Sequence, residues 1–221
     1  NAGDSFTGTD ANRNTLFGYD AGTAITTGDY NIAIGAYALD ATTTGQNNIA
    51  IGDAALTANT TASNNTSIGK SSLANSTTAS DNTAIGYAAL YDNTTGAYNT
   101  ALGKSALENN TTASYNVAVG QNALATNTTG AENVAVGALS LDANTTGGQN
   151  NAFGYESLTA NTTASNNTGF GHRTLAANTT GTENVAVGKG ALDANTTADE
   201  NTAVGSNSLT ANTTGINNTG L

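Results

Sequence analysis

Apolar side chains recur along this chain at a fixed interval of 17 residues, and particular polar ones recur with them. An asparagine opens each repeat, from Asn14 in unbroken steps to Asn218 and including Asn82, Asn99 and Asn116. Three residues later the position is always apolar, as at Phe17, Ile34, Ile85, Leu102, Val119 and Phe170. A glycine comes next in every repeat that reaches it, among them Gly86, Gly103 and Gly120. A leucine stands four residues beyond, as at Leu90, Leu107 and Leu124, with Gly22 the one departure. The pattern is N-x-A-Φ-G-x-x-A-L-x-x-N-T-T-[GA]-x-x, with Φ apolar and slots counted from the opening asparagine.

A strict short period without insertions is the mark of a solenoid, whose repeats bury their apolar faces only by stacking. Helical repeats are longer than this, and Gly, Asn and Thr are poor helix formers. The pattern therefore predicts an all-β, fibrous fold, a parallel β-solenoid (β-roll or β-helix) of thirteen 17-residue coils. With coils about 4.8 Å apart, the stack would run to about 60 Å. Residues 1–13 read as a degenerate N-terminal coil, and residues 14–221 as one regular repeat domain that is a segment of a longer array.

Within the first segment of each repeat, such as NIAIG at 31–35 or NVAVG at 184–188, alternation predicts a short strand. Its fourth slot, always apolar, is expected to face inward together with the second, which is Thr, Val or Ile except at Asn151, and the alanine between them outward. An outward file of methyl groups would form a flat stripe suited to docking another chain. The glycine is expected at a corner where a Cβ would clash or φ turns positive, with the leucine closing the core from the second side. N-T-T-[GA] reads as the opposite turn, where Asn and Thr side chains satisfy backbone groups. Stacked asparagines can also bond one another along the axis.

That turn carries two functional readings. Thr60 and Thr61, Thr94 and Thr95, Thr128 and Thr129, and Thr162 and Thr163 stack into two columns, which invites comparison with ice-binding solenoids. Neighbouring residues of an extended strand face opposite sides, so both columns are exposed only if the segment is a turn. The same turns are N-x-[ST] sequons at Asn59, Asn93, Asn127 and Asn161, and elsewhere, which in a secretory setting would make a row of glycans.

Composition sharpens this picture. Thr (41), Ala (40), Asn (33) and Gly (26) dominate the 221 residues, and Pro, Cys, Met and Trp are absent. So few large apolar residues cannot build the core of an ordinary globular enzyme, but a narrow stacked coil needs no more. The net charge of −11 repels nucleic acid and anionic lipid, and no stretch is apolar for long enough to insert in a membrane as a helix. The acids Asp53, Glu108, Asp142, Glu156 and Asp193 are scattered through variable slots, without the convergent pair that glycoside cleavage requires. His172 beside Arg173 is the only histidine, and tyrosines such as Tyr37, Tyr87, Tyr115 and Tyr155 read as scattered surface residues rather than a sugar-stacking surface. No catalytic residue, metal site or cofactor is expected.

The N-x-A-Φ-G-x-x-A segments, most closely at 117–120, 134–137 and 185–188, resemble the head repeats of trimeric autotransporter adhesins. The longer forms NTLFGYDAG at 14–22 and NTAIGYAALYDNTTG at 82–96 look like repeats of phage tail-fibre and related surface proteins that end in an intramolecular chaperone domain. The coil is longer here than in the adhesin heads. The resemblance implies an extracellular location at a cell surface or on a virion. It also implies a homotrimer, and a structural and adhesive role presenting a binding tip to a surface or host receptor. End-to-end stacking into a filament is a further mode of assembly, since exposed terminal coils can template strands.

Overall fold

The structure, a computed structural model, describes residues 12–221, so most of the expected degenerate coil at 1–13 lies outside it. The chain divides into two compact units, residues 1–114 and 115–221. Both are parallel β-solenoids with one short strand per coil. The first contains β1 (Thr15–Phe17), β2 (Ile32–Ile34), β3 (Ile49–Ile51), β4 (Thr66–Ile68), β5 (Thr83–Ile85) and β6 (Thr100–Leu102). In the second are β7 (Val117–Val119), β8 (Val134–Val136), β9 (Asn151–Phe153), β10 (Thr168–Phe170), β11 (Val185–Val187), β12 (Thr202–Val204) and β13 (Thr219–Gly220).

Within each unit every strand pairs in parallel with the next at the register set by the period: Ile32 lies beside Ile49, Thr83 beside Thr100, and Val134 beside Asn151. Pairing continues outside the strands. The Leu90 amide donates to the Ala106 carbonyl at 3.0 Å, and that of Thr145 to the Thr162 carbonyl at 2.8 Å. Each coil is thus bonded to its neighbours nearly all the way round, which is why no coil gains or loses a residue.

The facing of the strand is the reverse of the sequence expectation. Third-slot alanines such as Ala33, Ala84, Ala118 and Ala135 are fully buried, whereas the second and fourth slots point to solvent. The reason is the narrow cross-section. The slot-nine leucines, Leu39 through Leu192, are fully buried and fill the coil from the opposite side, so only a methyl group fits against them and the slot-eight alanines. Exceptions show how tight this is. Gly169 makes room for hydroxyls, since a Cβ there would lie 2.6 Å from Ser157 Oγ and 2.7 Å from Thr174 Oγ1. In the first coil Leu16 takes the alanine slot, and Gly22 replaces the leucine it displaces: a Cβ at Gly22 would meet Leu16 Cδ2 at 2.7 Å.

The glycine corner behaves as expected. Gly86 has φ of 141°, and a Cβ there would sit 2.4 Å from the carbonyl oxygen of Gly103 in the next coil. Less expected is the leucine: Leu39, Leu90 and Leu141 adopt φ of 51–52°, a left-handed conformation in which a large side chain is uncommon.

Candidate functional site

The ladder asparagines are buried clamps. Asn133 Oδ1 accepts the backbone amide of Asn150 at 3.0 Å, while its Nδ2 donates to the Gly147 carbonyl across its own coil at 2.9 Å. Asn82 and Asn99 are placed the same way, Asn82 Oδ1 accepting the Asn99 amide at 2.9 Å. Asn116 Oδ1 accepts the amide of Asn133 at 2.9 Å. Of the other expected ladder residues, Leu90, Leu107 and Leu124 form the core, and Gly86, Gly103 and Gly120 the corner. Ile85, Leu102 and Val119, expected inside, line the outward strand face; Leu102 is 43% exposed.

The N-T-T turn separates into three environments. Asn59, Asn93, Asn127 and Asn161 are fully buried, and Asn161 Nδ2 donates both to Asn144 Oδ1 and to the Ala164 carbonyl, each at 3.0 Å. A glycan on such a nitrogen would have to displace these bonds. Thr60, Thr94, Thr128 and Thr162 are half-buried, and their hydroxyls donate to a carbonyl of the next coil, that of Thr94 at 2.9 Å. Thr61, Thr95, Thr129 and Thr163 are exposed. The turn therefore offers one fully exposed threonine file, not two.

Aromatic residues come together where the sequence had them scattered. Phe153 and Phe170 meet across adjacent coils with centroids 5.5 Å apart and planes tilted by 32°, on the strand side of the glycine corner. Beyond the corner Tyr155 and His172 stack at 5.6 Å and 19° between planes. Beside them Arg173 faces Glu156 at 3.6 Å and Asp193 at 3.9 Å. A hydrogen bond to Glu156, with the charge of that carboxylate, pushes the Tyr155 hydroxyl pKa up. In the first unit Phe17 and Tyr19 flank Gly18, and Tyr19 meets Tyr37 edge-on at 5.4 Å. One sequence signal marks these places: F-G-Y at 17–19 and 153–155, and F-G-H at 170–172.

No protein-family model matches the chain, and neither does any curated protein or solved structure. Among the described residues no group of His, Cys, Asp and Glu is placed to hold a metal ion, and no helix is long and apolar enough to cross a membrane.

Proposed function

We propose that the chain is a structural segment of an extracellular surface fibre, a shaft or head that spaces and presents binding groups for attachment, with no catalysis of its own. The observation that carries this reading is the unvarying coil: within each unit, backbone bonds and buried asparagines tie a coil to those before and after it, an arrangement suited to bearing load along the coil axis. The test is immunogold labelling of the source cells or virions with antibody to the exposed threonine turn. Label on surface filaments is expected; label confined to the cell interior would overturn the reading.

Association of copies, a trimer first, belongs to the same proposal, with the docking surface moved from the buried alanines to the outward strand face. The second and fourth slots carry no charged residue in any repeat, although the chain's net charge is −11. Ice binding is the weaker alternative, because the fully exposed threonine file is single and its neighbours two residues on, from Ser63 and Ala97 to Asp199 and Ile216, vary too much to complete a lattice. A glycosylated filament is weaker still, because the buried Nδ2 groups already donate to carbonyls and neighbouring asparagines.

A further inference from the structure

The outward strand face carries no charge, yet charges of opposite sign border it. All three lysines of the chain, Lys70, Lys104 and Lys189, stand exposed in the sixth slot, two residues past the face across the glycine corner. The seventeenth slot, two residues before the face across the buried asparagine, holds exposed Asp81, Glu132, Glu183 and Glu200, with Arg13 its only cation. The adjoining seventh slot adds Asp20 and the paired Glu156 and Arg173, and the sixteenth adds Asp29 and Asp199. Sixth-slot Asp53 is held by Lys70 at 3.0 Å. Among the described residues no ion pair reaches Lys104, Lys189 or any of the four seventeenth-slot acids. The lone chain gains nothing from this arrangement. Glu183 and Glu200 stand in register on successive coils, two residues before the paired Val185 and Thr202. Like charges on neighbouring strands, about 4.8 Å apart, repel. The cation of the same coil, Lys189, lies on the far border of the face.

We propose that the strand face docks on the same face of further copies with all chains parallel, the lysine border of one copy lying along the acidic border of the next. The proposal rests on the reading that copies associate through this face, and adds their direction and what fixes it. Closed symmetry leaves few ways to bring a face against its own copies. A two-fold or three-fold axis along the coils sets each sixth slot beside a seventeenth slot at the same height. Lys189 then meets Glu183 and Glu200, the acids that precede and close its own coil. A two-fold axis across the coils turns one chain over instead, and sets lysines against lysines and acids against acids. Juxtaposed like charges disfavour that mode. The face itself, being uncharged, does not choose between the two directions, so the borders do.

The experiment uses the whole chain, which has no cysteine of its own. Gln121→Cys and Ser206→Cys, exposed sixth-slot positions five coils apart in the second unit, are spin-labelled singly, and distances between copies are read by double electron–electron resonance. Five coils rise about 24 Å. In parallel copies the distance that appears on mixing the two labelled chains exceeds that in either sample alone, and this is the expected result. In antiparallel copies the mixed distance is no longer than the longer of the two. Lys189→Glu is expected to weaken association at least about tenfold by light scattering; adding Glu183→Lys and Glu200→Lys, which exchanges the borders, is expected to restore it. The restored variant carries more substitutions than the weakened one, so misfolding would not give that pattern. A mixed distance no longer than the longer single-label distance overturns the proposal, as does failure of the exchange to restore association. Either result leaves association itself standing, whereas a wild-type protein of single mass removes association and direction together.

Discussion

Leu90 adopts φ of 52° in every respect as a glycine would, yet it is fully buried and its amide donates to the Ala106 carbonyl at 3.0 Å. The left-handed conformation costs about 1–2 kcal/mol, while burying a leucine contributes about 1.5–3 kcal/mol, so the side chain offsets its own backbone strain. At an ordinary position glycine is worse than alanine. Here Leu90→Gly sheds the strain, so Leu90→Ala and Leu90→Gly should both lose about 2–5 kcal/mol, with glycine no worse than alanine. Urea unfolding of the two variants checks this. Ser140 offers the opposite sign. It occupies an alanine slot, is fully buried, and its hydroxyl has no partner. Ser140→Ala should therefore stabilise by about 1 kcal/mol, read as a rise in melting temperature.

One coil is held to the next by more than its strand. Asn144 Nδ2 donates to Asn127 Oδ1 and to the Gly147 carbonyl, both at 2.9 Å, and its Oδ1 accepts from Asn161 at 3.0 Å. Asn144→Ala strips each of these buried partners of one hydrogen bond while Gly147 keeps that from Asn133 and Asn161 keeps that to Ala164, and should cost about 1–3 kcal/mol in all. Hydrogen exchange is expected to show the loss first in the turns at Asn127 and Asn161, with the strands β8 and β9 protected for longer. Seventeen-residue coils, the glycine corner and the asparagine turn were legible at this scale, because each is a local requirement that repeats wherever the chain returns to it. Gly22 was legible only as an isolated irregularity, and Leu16 stands in the slot that holds alanine in most other coils. That they compensate one another, one filling the space the other vacates, depends on their facing each other across the coil.

For the molecule as a whole, the proposed association of copies would turn on the outward strand face. Val187, 36% exposed, lies on it, so Val187→Glu should leave the fold intact while placing a charge where copies would meet. Light scattering is expected to give three times the chain mass for the wild type and a single chain mass for the variant; a wild-type protein of single mass would remove the trimer. The aromatic corner belongs to this scale too. Its F-G-Y and F-G-H motifs were in the sequence, but the stacking of Tyr155 on His172 needs the register between coils. The period, the parallel stacking, the corner, the turn and the inward leucine could all be read from the chain, because a constant coil repeats each local constraint at the same place. The tertiary structure alone decided which strand face is inside. Size and hydrophobicity favoured Ile, Val and Phe for the core, but the opposing leucine already fills it, and in so thin a coil only the methyl of alanine fits against that leucine.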